Sequence, residues 1–489
     1  MSEAATEQVT ASVSADPPTD ELLRLDVHGR AMASATGAAA EAAAGSLGFA
    51  PGEAERVGRL VADLCERVAG TDFDDPDTAQ FEVSVFRRPA ALGVRVADHG
   101  LPLSLEGESG RAITGGLLAS GVADRASVSS DGDGNSVTVE VRRDPATLGH
   151  LVDEEMATDD LEDPPPPRVE RLRREHLEGL ARCTWRVYGH TYVADFLYHP
   201  EEMWRLVQAG RLHSVVAIDE RDDVIGHVGI ELEHRGARVG DTTLALTDPR
   251  HRGHHVLGAV GSEIPVLIEE LRLVGTFAEA VTPDTITQRF EVDSGAVETG
   301  ILLGFIPSTM EYRGFPAEVQ RGRQSAVLSY RPLGRVEGRT VHLPEPYAEI
   351  MAERYATMAL DREMAPPAAP GGVTTRFDVA VDQPRGLATL EVASVGDDAP
   401  HVVDRARREL CAAGTQVVYA ELPLDDPATP HAVDGLRERG FIYGGFVPEL
   451  RGSDILRMQY LDVDVDIDII HLYTDDARRL LELTLADRE

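Results

Sequence analysis

The sequence predicts an α/β fold, of the α+β kind with mixed sheets, and three observations carry that expectation. Short stretches with period-two alternation recur along the chain: Phe81, Val83 and Val85; Leu92, Val94 and Val96; HSVVAI from His213 to Ile218; Val417 to Leu422. Between them lie runs with apolar residues at helical spacing, such as Val57, Leu60, Val61, Leu64 and Val68. Strand-like and helix-like stretches alternate in every region instead of separating into blocks.

A chain of 489 residues is long enough for two to four domains with cores of their own. With 42% hydrophobic and 27% charged residues it belongs to the globular class. No run approaches the ~18 consecutive apolar residues of a membrane span. The opening MSEAATEQVTASVSADPPTDE lacks the basic and apolar regions of a signal peptide, so a cytoplasmic location is expected. Cys65, Cys183 and Cys411 have neither metal-site spacing nor the density of a disulfide framework. Eighty-four acidic residues against 47 basic ones give a net charge of −37, which disfavours nucleic acid and anionic lipid as partners. The acids are spread along the whole chain, a pattern expected of adaptation to a salty cytosol, where ions screen their repulsion. Every basic residue is arginine. Chemistry that needs a lysine amine is therefore excluded: Schiff bases, the P-loop lysine, the protein-kinase lysine.

Composition shifts divide the chain. Residues 1–19 are small and polar and read as a disordered tail. A first domain spans 20–150. The acidic, proline-rich stretch 151–167 (ending DEEMATDDLEDPPPP) reads as a linker. A second domain spans 168–360, the proline-rich 361–372 forms another junction, and a third domain spans 373–489.

In the first domain a helix is expected from Glu53 to Val68, followed by two strands and, after DGDGN, a last strand through Val137, Val139 and Val141. The second strand runs into Asp98-His99-Gly100-Leu101-Pro102, and a glycine stretch with Gly115 and Gly116 comes later. This order resembles the GHKL ATPase domain of anti-sigma-factor kinases over roughly residues 21–142. The resemblance implies that Asp98, in a D-x-G-x-P loop with Gly100 and Pro102, accepts the adenine amino group, and that Gly116-Leu117 starts the helix after a nucleotide lid. ATP is the ligand it implies. The family's magnesium-holding Glu-x-x-x-Asn becomes Asp63 and Arg67 here, and arginine has no lone pair for a metal. An i, i+4 ion pair between Asp63 and Arg67 is the expectation. No metal site is expected anywhere in the chain.

The second domain reads as an antiparallel meander: His213–Ile218, Val224–Leu232 and Arg238–Thr247. The third strand ends in Asp248-Pro249-Arg250-His251-Arg252-Gly253-His254-His255, and an apolar helical run starts at Val256, with Pro265 expected to kink or restart it. A strand end, an arginine–glycine turn and a helix N-terminus together suit an anion. First-turn N–H groups point outward without partners, and guanidinium forks match phosphate oxygens. The turn resembles motif A of the GNAT acetyltransferases, Arg/Gln-x-x-Gly-x-Gly/Ala, matching at Arg250 and Gly253 and departing at His255. The resemblance covers roughly residues 168–332. It implies that Arg250, His251, Arg252, Gly253, His254 and His255 cradle the pyrophosphate of acetyl-CoA or another acyl-CoA. It also implies that the preceding strand splays from its neighbour, so that Leu246 and Thr247 receive the pantetheine arm. An amine acceptor then attacks the thioester, and Glu231, favoured over Glu233 by strand alternation, removes its proton. No tyrosine lies between Phe277 and Pro307 to protonate the thiolate.

In the third segment the order of strands and helices and the Gly440-Phe441 element resemble the rear half of a GNAT fold without the arginine–glycine turn. Leu461–Ile470 (LDVDVDIDII) reads as a strand with a solvated aspartate face, and Thr474 as the cap of a last helix. The leading expectation is an acyl-CoA-dependent N-acetyltransferase with an N-terminal nucleotide-binding-like regulatory domain. The rival is an anti-sigma-like regulator that binds a protein partner and keeps GNAT folds as scaffolds.

Overall fold

The computed structural model describes residues 21–71, 73, 75–88, 91–99, 123–130, 134–143, 165–313, 322–369, 371–372 and 374–488. The tail 1–19, most of the linker 151–167, and Gly100, Pro102, Gly115, Gly116 and Leu117 lie outside them.

In the first part of the chain the described strands are β1 (Glu21–His28), β2 (Gln80–Arg88), β3 (Ala91–Asp98), β4 (Arg125–Ser130) and β5 (Asn135–Arg142). The helix expected at Glu53–Val68 spans Pro51–Thr71, and its apolar stripe Val57, Leu60, Val61, Leu64 and Val68 is buried. A second helix, Ala33–Ser46, packs beside it and buries Ala33, Ala40 and Ala44.

The middle of the chain forms β6 (Arg168–Arg171), β7 (Leu212–Ile218), β8 (Val224–Glu231), β9 (Val239–Thr247), β10 (Gly275–Val281), β11 (Val297–Ile306) and β12 (Gln324–Pro332). These make one seven-stranded mixed sheet in the order β11-β12-β10-β9-β8-β7-β6. The helices Leu177–Tyr188 and Pro200–Gln208 cover one face through Leu180, Trp185, Met203 and Leu206. Val256–Gly261 and Ile264–Leu271 cover the other through Val256, Val260, Ile264 and Leu267. Pro265 sits at the start of the second of these helices: the run restarts there because proline lacks an N–H to donate and tolerates only the first helical turn.

After a two-stranded ribbon, β13 (Arg339–Val341) and β14 (Arg362–Met364), come β15 (Arg376–Asp382), β16 (Leu387–Ser394), β17 (Val417–Pro423), β18 (Ile442–Val447) and β19 (Ile455–Leu461). They share a sheet with the first part of the chain, in the order β1-β2-β3-β5-β4-β15-β16-β17-β19-β18. The seam is antiparallel pairing of β15 with β4, Val379 opposite Val128 and Asp382 opposite Arg125. Strand pairing therefore crosses the boundaries expected at 150 and 373.

The two sheets meet back to back at β11 and β18. The approach is so close that a Cβ on Gly300 would lie 2.0 Å from the Gly444 carbonyl oxygen, so only glycine fits there. Gln459, fully buried, stitches the seam: its amide donates to the Ile301 and Tyr443 carbonyls at 2.8 Å and accepts the Leu303 N–H at 2.9 Å. Thr474 caps the helix Asp475–Ala486 as expected, accepting the Ala477 N–H. The aspartate run does not form the expected strand. β19 ends at Leu461; the Asp462 N–H still donates to the Gln416 carbonyl at 2.8 Å, just before β17 begins, and the run beyond it is assigned to no strand. Asp462, Asp464, Asp466 and Asp468 are exposed. No described helix is long and apolar enough to cross a membrane.

Candidate active site

The site starts where β9 leaves β10. The two pair in parallel only at Val239–Gly275, Gly240–Thr276 and Asp241–Phe277. Beyond Asp241, β9 stays hydrogen-bonded to β8 alone, with His227 opposite Leu246 and Gly226 opposite Thr247. The edge that carries Leu246 and Thr247 therefore opens into the gap between β9 and β10. A bulge sits in this stretch: Leu244 and Ala245 together oppose Val228, and Leu244 takes a left-handed φ of 59°. His227 holds it there. Burial pushes this imidazole down to about 4, so it is neutral, and its Nδ1–H donates to the Leu244 carbonyl at 2.8 Å.

The turn that follows β9 is built around Asp248, which is fully buried. Its carboxylate accepts the Arg250 backbone N–H at 3.0 Å and the Arg250 guanidinium at 2.8 Å, and Arg186 from the helix Leu177–Tyr188 reaches it at 3.2 Å. Burial works to raise this carboxyl, but the bonds and charge of Arg250 and Arg186 outweigh it and hold it below its ordinary value. The fork of Arg250, expected to face a phosphate, is thus taken up by Asp248, because a carboxylate two residues away satisfies it first. His251 is also turned to the protein: it is buried, with Nε2 4.0 Å from Asp219. Arg252 is half-buried, with Tyr188, Asp284 and Asp248 as its electrostatic neighbours. Gly253, at φ 83°, is exposed, and a Cβ there would meet nothing within 4 Å. His255 occupies the left-handed region at φ 58°, where the expected pattern has Gly or Ala, and the helix begins with the next residue. Of the eight residues expected to bind the cofactor, the open end of the turn thus consists of Arg252, Gly253, His254 and His255, beside the free edge at Leu246 and Thr247.

The gap leads into a cavity of about 1670 Å³. All three regions of the chain wall it: Arg88, Arg125 and Glu140 from the first, Arg385, Glu391 and Glu449–Gly452 from the third, and the rest from the middle. The first region is latched to this wall. Arg142 pairs with Asp195, and Arg143 meets His199 at 3.1 Å, on either side of the short turn Asp195–Tyr198.

Glu231 lines the cavity, and burial raises its carboxyl while Arg211 and Arg125 pull it back. Glu233, past the strand end, is held by Arg451 at 2.7 Å. A tyrosine cluster missing from the sequence reading also lies here. Tyr188 stacks on Tyr192 at 4.2 Å and meets Tyr312 edge-on at 5.5 Å. Burial raises all three phenols, so they stay protonated. Glu291, also on the cavity wall, is pushed up to about 7 by burial. A carboxyl raised by folding stays protonated in the native state after the unfolded chain has ionised. Stability is therefore lost as pH climbs from about 4.5 to about 7. Glu291→Gln is expected to flatten that part of a Tm-against-pH curve and to raise Tm at pH 8.

In the first domain Asp63 and Arg67 form the expected ion pair, Nε to Oδ2 at 2.8 Å. Asp98 is buried, and its Oδ1 accepts the Asn135 side-chain amide at 3.0 Å. Among the described residues no group of three His, Cys, Asp or Glu side chains could hold a metal ion.

No family model matches this chain. No curated protein matches it either. Solved structures similar to it include a spermidine N-acetyltransferase chimera from Vibrio cholerae and hSSAT, at 14% identity over 34% of this chain and 96% of that one, with a TM-score of 0.27. The spermidine/spermine N-acetyltransferase of Vibrio cholerae in complex with manganese ions is similar at 16% identity over 34% of this chain and 92% of that one, TM-score 0.27. Ard1 from Thermoplasma volcanium is similar at 15% identity over 35% of this chain and 100% of that one, TM-score 0.27.

Proposed function

We propose that the middle unit is an acyl-CoA-dependent N-acyltransferase. The observation that carries this reading is the parting of β9 from β10 after three residue pairs, which leaves the end of β9 open up to the Asp248–His255 turn. A strand edge left open along Thr242–Thr247 offers backbone groups to an extended amide-bearing arm. The N–H groups at the start of the following helix, with Arg252 and the bare backbone of Gly253, offer donors to a diphosphate. Bound there, an acyl-CoA would supply an activated thioester carbonyl. Arg250 acts on this site through Asp248, as the residue that shapes the turn. Glu231 takes the proton of the attacking amine as the N–C bond forms, and its raised carboxyl makes it a stronger base than an exposed glutamate. As the C–S bond breaks, a hydroxyl of the Tyr188, Tyr192 and Tyr312 cluster gives its proton to the departing thiolate. The first domain regulates this unit through its hold on the Asp195–Tyr198 wall, and a nucleotide at Asp98 is the effector it would answer to.

Calorimetry with acetyl-CoA tests the binding half. Arg252→Ala is expected to lose about 1.5–3 kcal/mol, roughly a ten- to hundredfold weaker Kd. Wild type that ignores acetyl-CoA, or equal binding by the variant, would end the proposal. In an amine-acetylation assay Glu231→Gln is expected to lower kcat by about 10²–10⁴ while leaving the acetyl-CoA KM near its original value. Wild-type activity should rise with pH through an inflection above 4.5, because only the Glu231 carboxylate serves as base.

A further inference from the structure

Three carboxylates in the cavity form no hydrogen bond or ion pair with a described side chain. Glu231 and Asp241 stand directly opposite each other on β8 and β9, with both side chains on one face of the sheet. Like charges so placed repel, and Arg211 and Arg125 near Glu231 and Arg457 near Asp241 offset burial only in part, since both carboxyls stay raised. Asp241 Oδ1 is buried without a hydrogen-bond partner. Glu291, only 8% exposed, reaches the same cavity from the helix Ile286–Asp293 and forms no hydrogen bond or ion pair with any described residue. The arginines nearby, Arg331 beside Glu291 among them, act on these carboxylates through space without an ion pair. Arg88, Arg125, Arg205 and Arg451 are each paired with another carboxylate. Arg211 donates to the Leu232 carbonyl, and Arg385 lies flat over Phe305. Other acids of the wall are neutralised: Glu279 is held by Arg457 at 3.2 Å, Glu140 by Arg88 at 3.0 Å and Glu233 by Arg451 at 2.7 Å. Buried and part-buried carboxylates without an ion pair, and without a metal-holding group of three among the described residues, are completed by an elongated organic cation.

We propose that the acceptor is an amine carrying a second positive charge at the far end of a flexible chain, such as an α,ω-diamine. Its reacting nitrogen lies toward Glu231, and its distal ammonium is shared by Asp241 and Glu291. The proposal rests on the acyl-transfer reading for the word acceptor; the cation site stands on its own residues. The cavity exceeds the ~300–1,000 Å³ of an ordinary single-ligand pocket, which leaves room for both a thioester arm and such a chain.

Three probes of one length separate charge from greasiness: 1,5-diaminopentane, pentylamine and 5-aminopentanoate. By calorimetry on the full chain, the diamine is expected to bind at least tenfold more tightly than pentylamine, and the amino acid not at all. Glu291→Gln is expected to weaken the diamine at least fivefold and leave pentylamine unchanged; Asp241→Asn repeats the test should the first variant fold poorly. Equal binding of the three probes, or full diamine affinity in both variants, overturns the proposal. Diamine binding by a protein that ignores acetyl-CoA would sink the transferase reading and keep the cation site. Acetyl-CoA binding without diamine preference would do the reverse.

Discussion

Asp248→Ala is expected to cost about 3–5 kcal/mol of stability, because it removes a fully buried carboxylate that two guanidinium groups meet. Arg186 is 6% exposed and Arg250 is bound to Asp248 through its backbone N–H and its side chain at once. Without the carboxylate, Arg186 loses the buried counter-charge it meets at 3.2 Å and the turn loses the acceptor that closes it. Thermal and urea unfolding read the stability loss. Calorimetry on the folded fraction is expected to show acetyl-CoA affinity gone. Asp248→Asn should fall between: it can still accept the Arg250 N–H but brings no charge. The acid limb gives a second readout. The Asp248 carboxyl is depressed in the folded state, so its contribution is present above the ordinary aspartate value and is lost as pH falls through the folded one. The Asp248→Asn variant should lack that part of the acid unfolding curve.

Arg457→Leu is expected to be as damaging, by about 3–5 kcal/mol. Arg457 reaches Glu421 at 2.7 Å and Glu279 at 3.2 Å, and so ties the third segment to the floor of the cavity. Glu421 is 2% exposed. Burial would raise its carboxyl, but Arg451 and Arg457 hold it down at about 2. Its stabilising contribution is therefore full above about 4.5 and disappears as pH falls toward 2. Losing Arg457 should move the acid-unfolding midpoint upward. It should also strip Glu279 of its ion pair and remove a charge that acts on Asp241, leaving four carboxylates in the cavity without an ion pair. Diamine binding that strengthens in the folded fraction of this variant would be the sign of that.

What the sequence made legible was local. Alternating Val and Ile marked β7 and β8, apolar residues at helical spacing marked Pro51–Thr71, and Asp-Pro-Arg before a helical run marked the turn. The helix Ala33–Ser46 escaped because alanine packs closely without contrasting with its polar face, so no periodicity shows. β4, RASVSS, has two apolar residues in six and draws its strand character from β5 and β15 on either side. The pairing of Arg250 with Asp248 was written two residues apart in the sequence, yet competition between a carboxylate and a phosphate for one guanidinium depends on how far Asp248 is buried. Tyr312 lies only five residues beyond Pro307, the end of the tyrosine-free stretch Phe277–Pro307. It reaches Tyr188 through tertiary packing alone. The unpaired trio Glu231, Asp241 and Glu291 was invisible among 84 acids, since only the fold tells which of them lack an ion pair.

The hydrogen-bonded seam between β4 and β15 joins residues some 250 positions apart, and the whole middle unit is threaded between them. During synthesis the early strands reach the tunnel exit long before the edge that completes them. Until then β4 presents a bare flank to the crowded space around the ribosome. The middle sheet, whose pairings all fall within residues 168–332, can close meanwhile. Maturation should accordingly run from the centre outward, with the opening segment waiting as an unfinished half for the last hundred residues. Pulse-proteolysis of ribosome-stalled chains ending near residue 340 should find the centre resistant and residues 21–142 still cleavable.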